Sequence, residues 1–368
     1  MKTLILSCNT GQGHNAAGKA LLEALRLREQ PCEMLDTLQF GSRNASAYIS
    51  GGYIKVTQTI PSLFGQMYRA GELISSSKRK SPVYFANTLY ANKLARYIEE
   101  NGFDTVLSPH LFPAEALTYL RRKHGLKVRS FGVATDYTCT PFWEETDVDA
   151  FFIPQEALRA EYERKGFASE RLITTGIPVS RAFREKHAHA EARALLALPA
   201  EGELYLLMTG SMGFGDVPDL VRELCRRAEP NATVLILVGR NARLQAKLES
   251  DFADEPRVRC VPFTKQVPLY MDACDVLLTK PGGLSSTEAA VKNVPFVHTA
   301  PIPGCETVNA RLFAEHGLSI ATRTPVESAE AAVRLARDPA LAQRQLEAQR
   351  AFVNANAADD ICDFIETH

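Results

Sequence analysis

The sequence predicts an α/β protein built as two doubly wound domains, and three observations carry that prediction. Short apolar, β-branched runs alternate with longer amphipathic stretches, the pattern of parallel strands joined by helical crossovers. The series of strands begins twice, on either side of a strandless stretch from Ser180 to Gly202. The 368 residues are also enough for about two domains.

The first series comprises Thr3–Ser7, Thr105–Leu107, Arg129–Val133 and Ala150–Ile153, and the second Leu204–Met208, Thr233–Val238, Val276–Leu278 and Pro295–His298. Domains are therefore expected over residues 1–180 and 203–349, with a helix from about 350 to 368 packing back on the first. Its apolar positions are Ile361, Cys362, Phe364 and Ile365. No solenoid-period repeat is visible.

Composition excludes several classes. Hydrophobic residues make up 45% and charged residues 23%, so no part reads as disordered or low-complexity. No apolar run approaches the roughly 18 to 20 residues of a spanning helix, and Met1–Leu6 is too short for a signal peptide core. A soluble, cytoplasmic chain is expected, in keeping with eight scattered cysteines that form no C-x-x-C pair. Net charge is −1, but residues 1–186 hold 24 Lys and Arg against 19 Asp and Glu, and the rest 18 against 24. Residues 78–129 hold 10 basic and 4 acidic side chains, including Lys78-Arg79-Lys80, which suggests an anionic partner. The charge is too low for a nucleic-acid binder.

Candidate sites lie where strands end, because open α/β sheets bind ligands at the carboxyl ends of their strands. After the first strand, Gly11-Gln12-Gly13-His14 opens an alanine-rich helix. His14 can serve as a proton acceptor for a hydroxyl, or as a locally bonded helix-terminus histidine. Asp136, after Val133, can orient or deprotonate a hydroxyl, or cap the next turn. In the second half, Gly210-Ser211-Met212-Gly213 is a glycine-rich loop suited to a diphosphate, without the Walker pattern. Gly282-Gly283-Leu284-Ser285-Ser286 then starts a helix whose free N–H groups form an anion site. Glu288, one turn inside, can accept two hydrogen bonds from a ribose diol, or close a capping box with Ser285. Glu306 and Asn309, one turn apart after a Pro-rich turn, can meet sugar hydroxyls.

These motifs, in order, resemble the glycosyltransferase family of monogalactosyldiacylglycerol synthases and processive diacylglycerol glucosyltransferases, and more distantly the N-acetylglucosaminyltransferase that completes the peptidoglycan lipid precursor. Thr10–His14 stands for T-G-x-G-H, Ala134–Tyr137 for V-T-D-[FY], Thr175–Val179 for T-G-I-P-V and Thr279–Glu288 for T-K-P-G-G-L-T-x-x-E, with the Gly210–Gly215 loop between. The match spans nearly the whole chain. It implies two Rossmann-like domains facing a cleft (GT-B type) and inverting transfer of a hexose from a UDP-sugar to a lipid, most readily diacylglycerol, at the inner face of the cell membrane. Neither a cofactor nor a catalytic metal is implied.

The resemblance makes His14 or Asp136 the base, with Gly11, Gly13 and Tyr137 on the acceptor side. It assigns the glycine loops to the diphosphate, Glu288 to the ribose and Phe263 to the uracil. Cys305 departs from the family's glutamine, which leaves the donor hexose open. Aromatic and basic residues between 42 and 90, among them Tyr48, Tyr53, Phe64, Tyr84, Phe85 and Lys78-Arg79-Lys80, suit docking on an anionic lipid surface, or form an ordinary helical insertion. A non-lipid acceptor, and a UDP-sugar 2-epimerase on the same plan, are the rival expectations.

Overall fold

Strand order in each sheet follows from which strands can be buried on both faces. The computed structural model describes residues 1–9, 11–41, 68–71, 74–76, 79–209 and 216–368. Two compact units make up the chain: Met1–Arg181 with Pro303–Cys305 and Asn354–His368, and Ala182–Ile302 with Glu306–Val353.

The first unit contains β1 (Thr3–Ser7), β2 (Cys32–Asp36), β3 (Thr105–Ser108), β4 (Arg129–Val133), β5 (Ala150–Ile153) and β6 (Leu172–Thr174), parallel in the order β2-β1-β3-β4-β5-β6. Every residue of β1, β3 and β5 is buried, which is why these strands read as continuous apolar runs rather than alternations. Strand order reverses between β1 and β3, and that switch point is where a doubly wound sheet opens a crevice. Helix α1 (Gln12–Leu27) follows β1 and helix α2 (Leu111–His124) follows β3.

The second unit contains β7 (Leu204–Met208), β8 (Thr233–Gly239), β9 (Val258–Pro262), β10 (Val276–Thr279), β11 (Phe296–His298) and β12 (Ile320–Ala321). These strands are parallel in the order β12-β11-β10-β7-β8-β9. This is the Rossmann order, with its switch point between β7 and β10. Helix α3 (Gly283–Lys292) leaves β10 and helix α4 (Cys305–Glu315) follows β11. One core joins Leu207, Ile236, Val276, Leu278 and Val297 to Val221 and Leu224 of helix Val217–Arg227.

Four strands are absent from the sequence reading, β2, β6, β9 and β12, and all four are sheet edges. An edge strand is covered on fewer sides, so β2 is half-buried throughout and β9 mixes exposed and half-buried positions. Neither carries the apolar run that marks a central strand.

Residues 182–202 are held to the second unit by Arg193 of helix His189–Leu195, which is buried, pairs with Asp275 at 2.9 Å and donates to the Ala273 carbonyl. The terminal helix α5 (Ala357–Thr367) packs Ala358, Ile361, Cys362 and Ile365 against Leu21 and Leu25 of α1 and Phe131 and Phe152 of the first sheet. Gly176 explains part of the T-G-I-P-V motif. Its φ is +99°, and a Cβ there would lie 3.1 Å from that of Ala357, so glycine is required where the terminal segment docks. Among the described residues, no helix is long and apolar enough to cross a membrane.

Candidate active site

The chain leaves β1 with Asn9 tied to Asp36 at 2.6 Å and to Asn15 at 2.7 Å, while Ser7 Oγ donates to Asn15 Oδ1 at 2.7 Å. This polar net fixes the first turn of α1, whose N-cap is Gly11 and whose second and third residues are Gly13 and His14. His14 is half-buried, and its Nδ1 lies 2.9 Å from the carbonyl oxygen of Pro109 and 3.0 Å from Thr135 Oγ1. A carbonyl can only accept, so the proton sits on Nδ1 and Nε2 carries the ring's lone pair. Burial lowers the His14 pKa, partly opposed by the negative charge of Asp136 and by the Pro109 carbonyl. The result is a neutral imidazole at pH 7 whose Nε2 has no partner among the described residues.

Three adjacent strands supply this cluster at their carboxyl ends: β1 brings His14, β3 brings Pro109 and His110, and β4 brings Thr135 and Asp136. The His110 ring meets that of His14 edge-on, at 4.5 Å between centroids. Its Nδ1 accepts from the Phe112 N–H at 3.1 Å, and burial together with His14 holds its pKa well below the ordinary value. Tyr137, expected on the acceptor side, is buried in the first unit's core. Lys80, expected to face an anionic surface, instead donates to the Glu145 carbonyl and lies 4.7 Å from the centre of the Tyr84 ring.

In the second unit, α3 begins at Gly283 with Gly282 as N-cap and no side-chain cap. The amides of Gly283, Leu284 and Ser285 therefore have no carbonyl one turn back and form an anion-binding helix start. The helix starts too early for the expected capping box, because Ser285 is its third residue rather than its cap. Glu288 stands free of it. The carboxylate is half-buried, has no hydrogen-bond or ion-pair partner among the described residues, and is pushed by burial up to about 8.

The other candidates of this unit separate. Ser286 is buried, with its hydroxyl in a hydrogen bond with His298 Nε2 at 2.9 Å. Glu306 is buried, pairs with Lys280 and accepts from the Ile302 N–H at 3.0 Å. Asn309 is fully buried and donates to the Pro281 carbonyl at 3.0 Å. Both side chains thus shape the Lys280–Gly282 turn from behind instead of meeting sugar hydroxyls. Phe263, past the end of β9, is 56% exposed with the Arg240 guanidinium 4.7 Å from its ring centre. Gly210, Ser211, Met212 and Gly213 lie outside the described residues, as do Lys78 and the aromatic positions Tyr48, Tyr53 and Phe64. Among the described residues, no group of three or more His, Cys, Asp or Glu side chains could hold a metal ion.

Residues 14–179 match the model of the monogalactosyldiacylglycerol (MGDG) synthase family, and residues 205–361 match that of the glycosyltransferase family 28 C-terminal domain. Between them the two models span most of the chain and make it a glycosyltransferase. A processive diacylglycerol beta-glucosyltransferase of Bacillus subtilis is 25% identical to it, the match covering 99% of this chain and 94% of that one. Among solved structures, Acinetobacter baumannii MurG superposes with a TM-score of 0.65 at 15% identity, with both chains fully covered. A UDP-GlcNAc 2-epimerase from Neisseria meningitidis bound to UDP-GlcNAc does so with a TM-score of 0.64 at 14% identity, again over both whole chains. At these identities the likeness establishes the two-domain GT-B fold.

Sequence reading of this glycosyltransferase placed Thr135 in its Ala134–Tyr137 segment but missed Pro109 and His110. The signal was a histidine beside a proline directly after the apolar β3, the same position relative to its strand that singled out Asp136 after β4.

Proposed function

We propose that this glycosyltransferase moves a hexose from a UDP-sugar to the free hydroxyl of diacylglycerol, with inversion and without a catalytic metal, while docked on the anionic inner face of the cell membrane. The observation that carries the reading is the His14 imidazole, neutral and held with its proton on Nδ1 by the Pro109 carbonyl. A hydroxyl acceptor needs a base with an open lone pair, and Nε2 is one. As the hydroxyl oxygen attacks the anomeric carbon, its proton passes to Nε2, and the bond from that carbon to the UDP oxygen breaks on the opposite face. One displacement of this kind inverts the anomeric centre. Asp136 stabilises the imidazolium that forms, which supports His14 rather than Asp136 as the base.

On the donor side, the amides at the start of α3 receive the diphosphate and stabilise the charge that builds on departing UDP, the part a metal would otherwise take. Glu288, a carboxylate without a partner among the described residues, receives the ribose hydroxyls. The diacylglycerol acceptor is supported by the match to the monogalactosyldiacylglycerol synthase model and by the diacylglycerol glucosyltransferase activity of the Bacillus subtilis relative.

The test is UDP release from UDP-glucose, UDP-galactose, UDP-N-acetylglucosamine and UDP-glucuronate, each with and without diacylglycerol in anionic mixed micelles, in the presence of a chelator. Release that needs both one donor and diacylglycerol is expected. Donor turnover independent of any acceptor would mean epimerisation, and release abolished by the chelator would return the leaving group to a metal.

A further inference from the structure

Beside the His14 cluster, the first unit contains an open cavity of about 770 Å³, within the roughly 300–1,000 Å³ usual for small-molecule sites. Leu38 and Phe40 wall it after β2, Val83, Ala86 and Leu89 along and just beyond helix Pro82–Thr88, and Phe112 at the start of α2. It therefore opens at the carboxyl edge of the sheet, flanking the β1/β3 switch point. Resting on the diacylglycerol reading above, we infer that this groove receives an acyl chain of the acceptor lipid.

The chemistry of the wall selects hydrocarbon. Among the described residues, Asn87 and Tyr90 are its polar members inside, and each is already committed. Asn87 donates to the Val83 carbonyl at 3.0 Å and to Glu115, and accepts from Tyr90 OH at 2.8 Å; that hydroxyl also reaches the Phe112 carbonyl at 3.2 Å. A sugar or peptide in the groove would leave its own polar groups unpaired, whereas a methylene chain has none to satisfy. Among the described residues, Lys93 is the one charged lining residue and is exposed.

The surroundings connect the groove to a lipid source and to the base. Leu89, which lines the groove, is 87% exposed, and Phe85, on the helix that precedes it, 61%. Large apolar side chains left in water on and beside an apolar groove fit a surface that meets the membrane. At the inner end, the Phe112 ring is 4.6 Å from that of His110, which is 4.5 Å from that of His14. An acyl chain lying along Phe112 thus brings the glycerol at its head toward the base.

Ala86 is exposed on its helix, so A86W can fill the groove without disturbing the core. Activity is compared on dioleoylglycerol and dihexanoylglycerol, with UDP affinity and Tm as controls for folding. The expected result is a drop in kcat/KM of about tenfold or more with the long chains and within about threefold with the short ones. Equal losses on both lengths, or none, would overturn the groove assignment while leaving the acceptor reading intact. If the unmodified enzyme turns over no diacylglycerol, the acceptor reading fails instead. A photoreactive diacylglycerol with a diazirine in its acyl chain then tests the groove directly: labelling of Leu38–Gly41, of residues 82–93 or of Phe112 supports it, and labelling elsewhere rejects it.

Discussion

His14 Nδ1 lies 2.9 Å from the carbonyl oxygen of Pro109, so the backbone after β3 decides which nitrogen of a histidine after β1 can act as a base. Because β1 and β3 are adjacent, sheet pairing itself sets that contact. H14A should lower kcat by about 10² or more with UDP affinity unchanged, the usual contribution of a general base. At saturating donor, the acid limb of kcat should have its midpoint below 6.5, because burial lowers the His14 pKa and the neutral base survives to lower pH. A limb at or above 6.5, or full activity in H14A, would remove His14 from this role.

His110 packs edge-on against His14 and accepts the Phe112 N–H, so it acts through His14 as a positioning residue. H110A should lower kcat about tenfold and leave the donor KM unchanged, with H110F recovering part of the loss by restoring the ring contact. A purely structural role would instead lower Tm and leave kcat per folded molecule unaltered.

Glu288 is pushed up to about 8 by burial. Hydroxyls that bind its ionised form must pull that value down, so donor binding should release a proton between about pH 5 and 8, and affinity should rise with pH up to about 8. Calorimetry in buffers of differing ionisation enthalpy reads both effects. E288Q should abolish the proton release and weaken UDP binding by roughly 1.5 to 3 kcal/mol. Unchanged UDP affinity in E288Q would dismiss the ribose contact.

Asn309 supports the turn before α3 through the Pro281 carbonyl. N309A should therefore cost about 1 to 3 kcal/mol of stability, leave one buried carbonyl unpaired, and weaken free UDP as much as any UDP-sugar. Loss confined to UDP-sugars would put Asn309 back in contact with the hexose.

Glu115 is buried on α2, bonded to Asn87 and pushed up to about 8 by desolvation. Its folded pKa exceeds the unfolded value, so its contribution to stability is complete below about pH 4.5 and is lost as pH rises through about 8. E115Q keeps an oxygen to accept from Asn87 and removes the charge. Its Tm should match that of the unmodified chain near pH 5 and exceed it at pH 9; the same Tm difference at both pH values would contradict this.

The sequence by itself determined the two doubly wound units, since strands buried on both faces must be written as apolar runs and the runs restart after residue 202. It also marked His14, Asp136 and Glu288, because chemistry-bearing residues directly after such strands fall on the ligand-binding edge. Tertiary structure alone decided the rest. Edge strands β2, β6, β9 and β12 carry no continuous apolar run, so pairing rather than pattern defines them. Glu306, Asn309 and Ser286 have the same polar side chains whether they face a sugar or a buried carbonyl, an amide or an imidazole, and only their neighbours assign them inward. The proton position on His14 depends on a carbonyl 95 residues away, a contact that no local spacing encodes and that the register of two parallel strands creates.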